Sequence, residues 1–218
     1  MSQTPNFSAE IAAVLLEIGA VSLNPIKPFT WASGLKTPIY CDNRLIISHP
    51  NARYQVEHAL ANLIQTEFPD VDVIAGTATA GIPHAAIVAH LLNKPMIYVR
   101  SSAKAHGKQS AIEGQLKAGQ TVVMIEDLIS TGGSVIQAAD RVTQAGGRVL
   151  GVCAIFNYLL AKGKAAFEAV DYPLHSLTDY QILIEQALKD ETLATHRETL
   201  EQWYQDPHAW SQQFTKTE

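Results

Sequence analysis

Two stretches of this chain, 122–125 (Val-Val-Met-Ile) and 152–156 (Val-Cys-Ala-Ile-Phe), contain no charged or strongly polar side chain. A strand wetted on one face alternates apolar and polar residues, so a strand without that alternation is buried on both faces, as in parallel sheets. Parallel neighbours need a crossover between them, and the usual crossover is a helix. The intervening text supplies it: Val135, Ala138, Ala139 and Val142 share one helical face, and Gly146 and Gly147 close the segment. The same alternation predicts helices over 52–67, 83–92 and 134–145, with strands over 71–75, 95–99, 121–125 and 148–156. The fold class is α/β, a doubly wound, mostly parallel sheet flanked by helices.

The ends of the chain read differently. Residues 8–19 form an amphipathic helix between Ser8 and Gly19, and Pro25, Pro28, Gly34 and Pro38 among aromatics predict short strands and turns. These regions form a small N-terminal cap. From Tyr180 onward the text predicts a packing helix anchored by Trp203, Tyr204 and Trp210. The expectation is one domain over 1–218, with the N-terminal helix and cap over the active site at 1–50, the α/β core at 51–175 and a helical packing region at 176–218.

The formal net charge of −5 gives no bulk attraction for nucleic acid or an anionic membrane, so an anionic ligand must be held by local features. No apolar run reaches the ~20 residues of a membrane helix. Cys41 and Cys153 make no metal or redox spacing and lie near no readable base, and the N-terminus lacks the regions of a secretory signal. A cytoplasmic protein with no nucleic-acid or membrane partner is expected.

In doubly wound sheets ligands bind beyond the carboxyl ends of the strands. Beyond 121–125 stand Glu126, Asp127, Leu128, Ile129, Ser130, Thr131, Gly132, Gly133 and Ser134. The hydroxyls, glycines and helix start suit a monophosphate. Two carboxylates would repel that phosphate and instead accept hydrogen bonds from neighbouring hydroxyls, so the ligand expected is a ribose 5-phosphate. The plain alternative is a tight strand-to-helix turn with solvated acids. Beyond 71–75 the small-residue turn with Thr79, Ala80 and Gly81 is either a second anion cradle or an ordinary turn. Two such loops at neighbouring strand ends suggest phosphates at both ends of one ligand. Arg100, Lys104, His106 and Lys108, flanked by Gly107, Gly114 and Gly119, read as an electropositive lid or as a solvated basic loop. His84 and His90 read as packing or surface residues. No Gly-x-Gly occurs among the 13 glycines and no Gly-Lys pair completes a P-loop, so dinucleotide and ATPase readings lack their signals.

The segments VVMIEDLISTGGS, FTWASGLKTPIYCDNR and RSSAKAHGK with its following IEG resemble the orotate phosphoribosyltransferase family, a branch of the type I phosphoribosyltransferases. The resemblance spans nearly the whole chain. It implies transfer of a phosphoribosyl group from phosphoribosyl pyrophosphate (PRPP) to N1 of orotate in pyrimidine (UMP) synthesis, with Mg²⁺ as cofactor. It further implies a homodimer in which the lid reaches the partner's active site. Residue by residue it places Glu126 and Asp127 on the ribose hydroxyls and Ser130 to Ser134 on the 5-phosphate, with Leu128 and Ile129 also among the PRPP-binding residues. Thr79, Ala80 and Gly81 fall on the pyrophosphate, as do Arg100, Lys104 and His106. With Asp127 these three side chains form the expected catalytic set, and Ser130, Ser33 and Lys36 fall near orotate. Mg²⁺ would be held mainly through PRPP. Two departures stand out: Ser101 occupies a position where some members have Lys, and no Arg lies near Asn157 and Tyr158. The alternatives are a purine or other base phosphoribosyltransferase, or a non-catalytic PRPP sensor that binds nucleic acid.

Overall fold

The computed structural model describes residues 7–101 and 111–215. In chain order, helix α1 (Phe7–Glu17) leads to strands β1 (Val21–Leu23), β2 (Phe29–Thr30), β3 (Lys36–Thr37) and β4 (Ile39–Cys41), then a 3-10 helix (Asn43–Ser48). The core follows as α2 (Pro50–Glu67), β5 (Val73–Thr77), α3 (Gly81–Leu91), β6 (Met96–Val99), β7 (Ile112–Glu113), β8 (Thr121–Ile129), α4 (Gly133–Gln144), β9 (Arg148–Asn157), α5 (Ala161–Glu168) and β10 (Leu174–Asp179). Helices α6 (Tyr180–Ala187), α7 (Glu191–Ala194), α8 (Arg197–Gln205) and α9 (Pro207–Thr215) end the described chain. The tail is thus α6 through α9 and not a single helix. Strand β8 runs past the expected 121–125 to Ile129, so the two acids lie inside it.

The central 6-stranded sheet has the order β10-β9-β8-β5-β6-β7. All its neighbours are parallel except β6 and β7. The chain enters at β5, builds outward through β6, then returns to the other side of β5 as β8. Strands β5 and β8 therefore flank the switch point where such sheets open a crevice.

Burial explains the missing polar alternation. Val123, Ile125, Cys153 and Ile155 face one buried cluster with α1, α2, α3, α6 and α8, while Val122, Met124, Val152 and Ala154 face another formed with α4. At roughly 25 cal/mol per Å² of apolar surface, such two-sided burial dominates the stability of the sheet.

A buried polar pair welds α2 to α3: His84 Nδ1 lies 2.6 Å from Glu57 Oε1, each side chain about 1% exposed. His84 is thus a partnered interior residue, and burial raises the Glu57 pKa. At the N-terminus, α1 packs on α6 and β10. Strand β1 pairs with β4 and β2 with β3, both antiparallel. Asn43 Nδ2 donates to the Asp127 carbonyl at 2.7 Å, which fastens this region to the end of β8.

Candidate active site

Gly76 pairs with Ile125 across β5 and β8, so Thr77 and Glu126 are the next residues on adjacent strands. Helix α3 begins at Gly81 against β8: a Cβ on Gly81 would stand 2.5 Å from the Ile125 carbonyl oxygen. No side chain larger than hydrogen fits, and that close approach brings the turn after β5 beside the acids of β8. The peptide bond between Ala78 and Thr79 is cis. No side chain caps the start of α3; within its first turn the Ile82 N–H donates to the Thr79 carbonyl at 3.3 Å and Pro83 carries no N–H.

The turn after β8 is shaped by its own glycine. Gly132 has φ +75°, and a Cβ there would meet Phe167 of α5 at 2.7 Å. A Cβ on Gly163 would likewise lie 2.7 Å from the Ser130 carbonyl oxygen, so α5 backs the whole loop closely. Gly132 precedes α4, whose start also lacks a side-chain cap. Together with the hydroxyls of Ser130, Thr131 and Ser134, the positive helix end has the chemistry that suits a monophosphate.

The two acids are unequal. Glu126 is 6% exposed, and its Oε1 accepts from the Asp127 N–H at 3.1 Å. Burial first, then the neighbouring Asp127, pushes its carboxyl up to about 9, offset only partly by the Thr77 hydroxyl. Burial thus favours the protonated form of Glu126, which can donate a hydrogen bond as well as accept one. Asp127 is half-buried at the mouth of the crevice. A raised Glu126 eases the repulsion that two carboxylates would impose on a phosphate.

A small cleft joins Thr77 and Ala78, Arg100 and Ser101, and Ser134, Ala138 and Arg141. It gathers the turn after β5, the end of β6 and the first turns of α4 in one place. The Arg100 guanidinium lies 3.6 Å from Glu113, and its backbone N–H donates to the Ala111 carbonyl at 2.8 Å. Lys104 and His106 lie outside the described residues. Sequence reasoning missed Arg141, whose guanidinium donates to the carbonyls of Arg100 and, at 2.8 Å, Ser101. Its spacing two helical turns after Ser134 was the available signal, since such residues share a face. Asn43 was also missed, for its contact with Asp127 spans 84 positions.

Of the residues expected near orotate, Ser33 is exposed at the tip of the β2–β3 hairpin, while Lys36 is half-buried with its Nζ donating to Thr30 Oγ1 at 3.1 Å. The hairpin stands next to the phosphate cradle: Trp31 packs edge-on against Tyr158 at 5.3 Å between ring centroids, and the Tyr158 N–H donates to the Ile129 carbonyl at 2.9 Å. The thiols of Cys41 and Cys153 are buried, and burial pushes both pKa values well up, so neither is a nucleophile.

A parallel sheet with an acid pair and a hydroxyl-and-glycine loop at its switch point is suited to a phosphorylated sugar. The phosphoribosyl transferase domain family matches residues 45–186. Orotate phosphoribosyltransferase of Bacillus caldolyticus is 56% identical over 202 residues, 92% of this chain and 98% of that one. That of Cutibacterium acnes is 52% identical over 213 residues, covering 97% and 99%. Among solved structures, orotate phosphoribosyltransferase from Aeropyrum pernix superposes with a TM-score of 0.72 at 26% identity, covering 81% of this chain and 97% of that one. The Mycobacterium tuberculosis enzyme in complex with PRPP gives 0.63 at 25% identity, covering 82% and 99%. This chain belongs to the orotate phosphoribosyltransferase family, and its sheet is the type I phosphoribosyltransferase fold.

Proposed function

We propose that the chain transfers the 5-phosphoribosyl group from PRPP to N1 of orotate, forming a C–N bond at the anomeric carbon with inversion and releasing pyrophosphate, in pyrimidine synthesis. The observation that carries this reading is the pair of uncapped helix starts brought together by the contact of Gly81 with Ile125. One cradle, 128–134, suits the 5-phosphate, and the other, Thr79 to Gly81, suits the pyrophosphate. Glu126 and Asp127 lie between them for the ribose hydroxyls. Ser130, Ser33 and Lys36 take the orotate side, where the hairpin stands over Tyr158. Arg100, with Lys104 and His106, neutralises the leaving pyrophosphate.

Catalysis on this geometry is mostly positioning and electrostatics. The cradles hold both ends of PRPP so that the anomeric carbon faces the base, and positive charge meets the pyrophosphate as its bond to carbon lengthens. Mg²⁺ would be held mainly by oxygens of PRPP. The half-buried Asp127 is the carboxylate best placed to assist it, and the ion would supply charge neutralisation at the pyrophosphate. Exposed apolar side chains in the cap and at the start of α2, namely Tyr40, Leu45, Ile47 and Tyr54, support a homodimer. Buried free thiols suit a reducing cytoplasm, and no described helix is long and apolar enough to cross a membrane.

The test follows orotate's ultraviolet absorbance after mixing protein with PRPP, Mg²⁺ and orotate, with adenine, guanine, xanthine and uracil in parallel. Loss of orotate that requires PRPP and Mg²⁺ is expected. Reaction of another base instead would reassign the base site, and no reaction would favour a PRPP sensor.

A further inference from the structure

Strands β2 and β3 are each 2 residues long. A two-stranded hairpin is marginal on its own even when its strands are longer, so something outside must fix how this one stands over the phosphate cradle. The backbone register supplies only Phe29 opposite Thr37 and Thr30 opposite Lys36. The Lys36 backbone N–H points away from that ladder and donates to Ser211 Oγ at 2.8 Å, a contact spanning 175 positions. Ser211, in helix α9, is 6% exposed. On the other flank the Trp31 ring meets Trp203 of α8 edge-on at 5.8 Å, and Trp203 is fully buried. Tyr158, which also packs on Trp31, lies 6.1 Å from Trp203. Tyr204 OH then donates to the Leu159 carbonyl, next to Tyr158, at 3.3 Å.

The C-terminal helices therefore grip both the hairpin and the segment hydrogen-bonded to Ile129 at the edge of the phosphate cradle. We infer that α8 and α9 are the buttress that sets the distance between the base-binding hairpin and the phosphoribosyl cradle, with Ser211 and Trp203 as positioning residues for orotate. The inference rests on the reading that the hairpin meets orotate. A buried acceptor that satisfies an N–H of the hairpin's own backbone acts on the position of Ser33 and Lys36 without touching either side chain or any group expected at PRPP.

The experiment compares wild type, Ser211→Ala and Tyr180→Phe, varying orotate at saturating PRPP and PRPP at saturating orotate. Tyr180→Phe is the control, because it removes the buried hydrogen bond from Tyr180 OH to the Leu200 carbonyl of α8, which reaches neither the hairpin nor the cradle. In Ser211→Ala the KM for orotate should rise about fivefold, the size of one net hydrogen bond. The KM for PRPP should stay within about twofold, and Lys36 amide exchange should quicken. Tyr180→Phe should leave the KM for orotate near wild type. Equal rises in both KM values, unchanged orotate KM, or the same orotate shift in Tyr180→Phe would overturn the inference. If Ser211→Ala fails to fold, Trp31→Leu, which removes the hairpin's own side of the contact, is read in the same way. Failure of the underlying reading is separate: wild type would then not consume orotate at all.

Discussion

The two strand-to-helix turns at the centre of the molecule are shaped by opposite means. Both precede helices whose starts lack a side-chain cap. The turn after β8 carries its geometry in its own backbone, at Gly132 with φ +75°, and is further lined by hydroxyls. The turn after β5 has only small side chains, and its place is dictated by the neighbouring strand through the contact of Gly81 with Ile125. One cradle is local chemistry, and the other exists only after the sheet has formed.

That contrast is broken most severely at Gly81. Gly81→Ala drives a methyl into the Ile125 carbonyl, where the neighbour is backbone and cannot rotate away. Overpacking against backbone costs about 3 kcal/mol or more, so the melting temperature should fall by roughly 10 °C. PRPP-dependent turnover should fall by about a thousandfold as α3 is pushed from β8. A variant that melts and turns over like wild type would show that the turn after β5 does not depend on β8.

The next effect tests the acid between the cradles. Asp127→Asn keeps the shape and removes the charge, and kcat/KM for PRPP should fall by about a hundredfold with melting unchanged. A loss below threefold in steady-state rates would remove Asp127 from the reacting end of the substrate.

Gly132→Ala should be milder than Gly81→Ala, because its obstruction is the ring edge of Phe167, a side chain able to shift, added to the strain of positive φ. A penalty of about 1–2 kcal/mol should appear as a rise of roughly tenfold in the KM for PRPP. The double variant Gly132→Ala with Phe167→Ala separates the causes. Partial recovery assigns the loss to the ring, and none assigns it to backbone strain.

The contrast between the turns also explains what could be read from the text. The cradle after β8 is visible because its residue types carry the chemistry, and the parallel sheet is visible because two-sided burial removes the polar alternation. The turn after β5 reads equally as an ordinary turn, since its small residues become a site only opposite Ile125. Strand β8 was expected to stop at the first acid because a carboxylate ordinarily marks a strand's exit to water. Burial raises the Glu126 carboxyl, and the strand continues to Ile129. Asn43 on Asp127 and Ser211 on Lys36 are contacts across 84 and 175 positions, which no local pattern can announce. Strands β2 and β3 are short enough that only turn-forming residues flagged them.

The smallest effect concerns the buried acid of β8 and sharpens the difference between Glu126 and Asp127. The Glu126 carboxyl sits at about 9 in the folded chain against an ordinary 4.5, with burial the main cause. Between those two pH values the folded chain holds a proton that the unfolded chain has released, so the folded state binds more protons and stability falls as pH rises through the window. The slope from one such group is at most about 1.4 kcal/mol per pH unit. Glu126→Gln keeps the shape and carries no titrating proton, so its melting temperature should fall less than wild type's between pH 6 and pH 8, by about 3 °C. Comparing the two proteins cancels the histidines and every other group that titrates in both. Parallel curves would mean that Glu126 is ionised in the folded protein, and both carboxylates would then face the phosphoribosyl ligand with their charges intact.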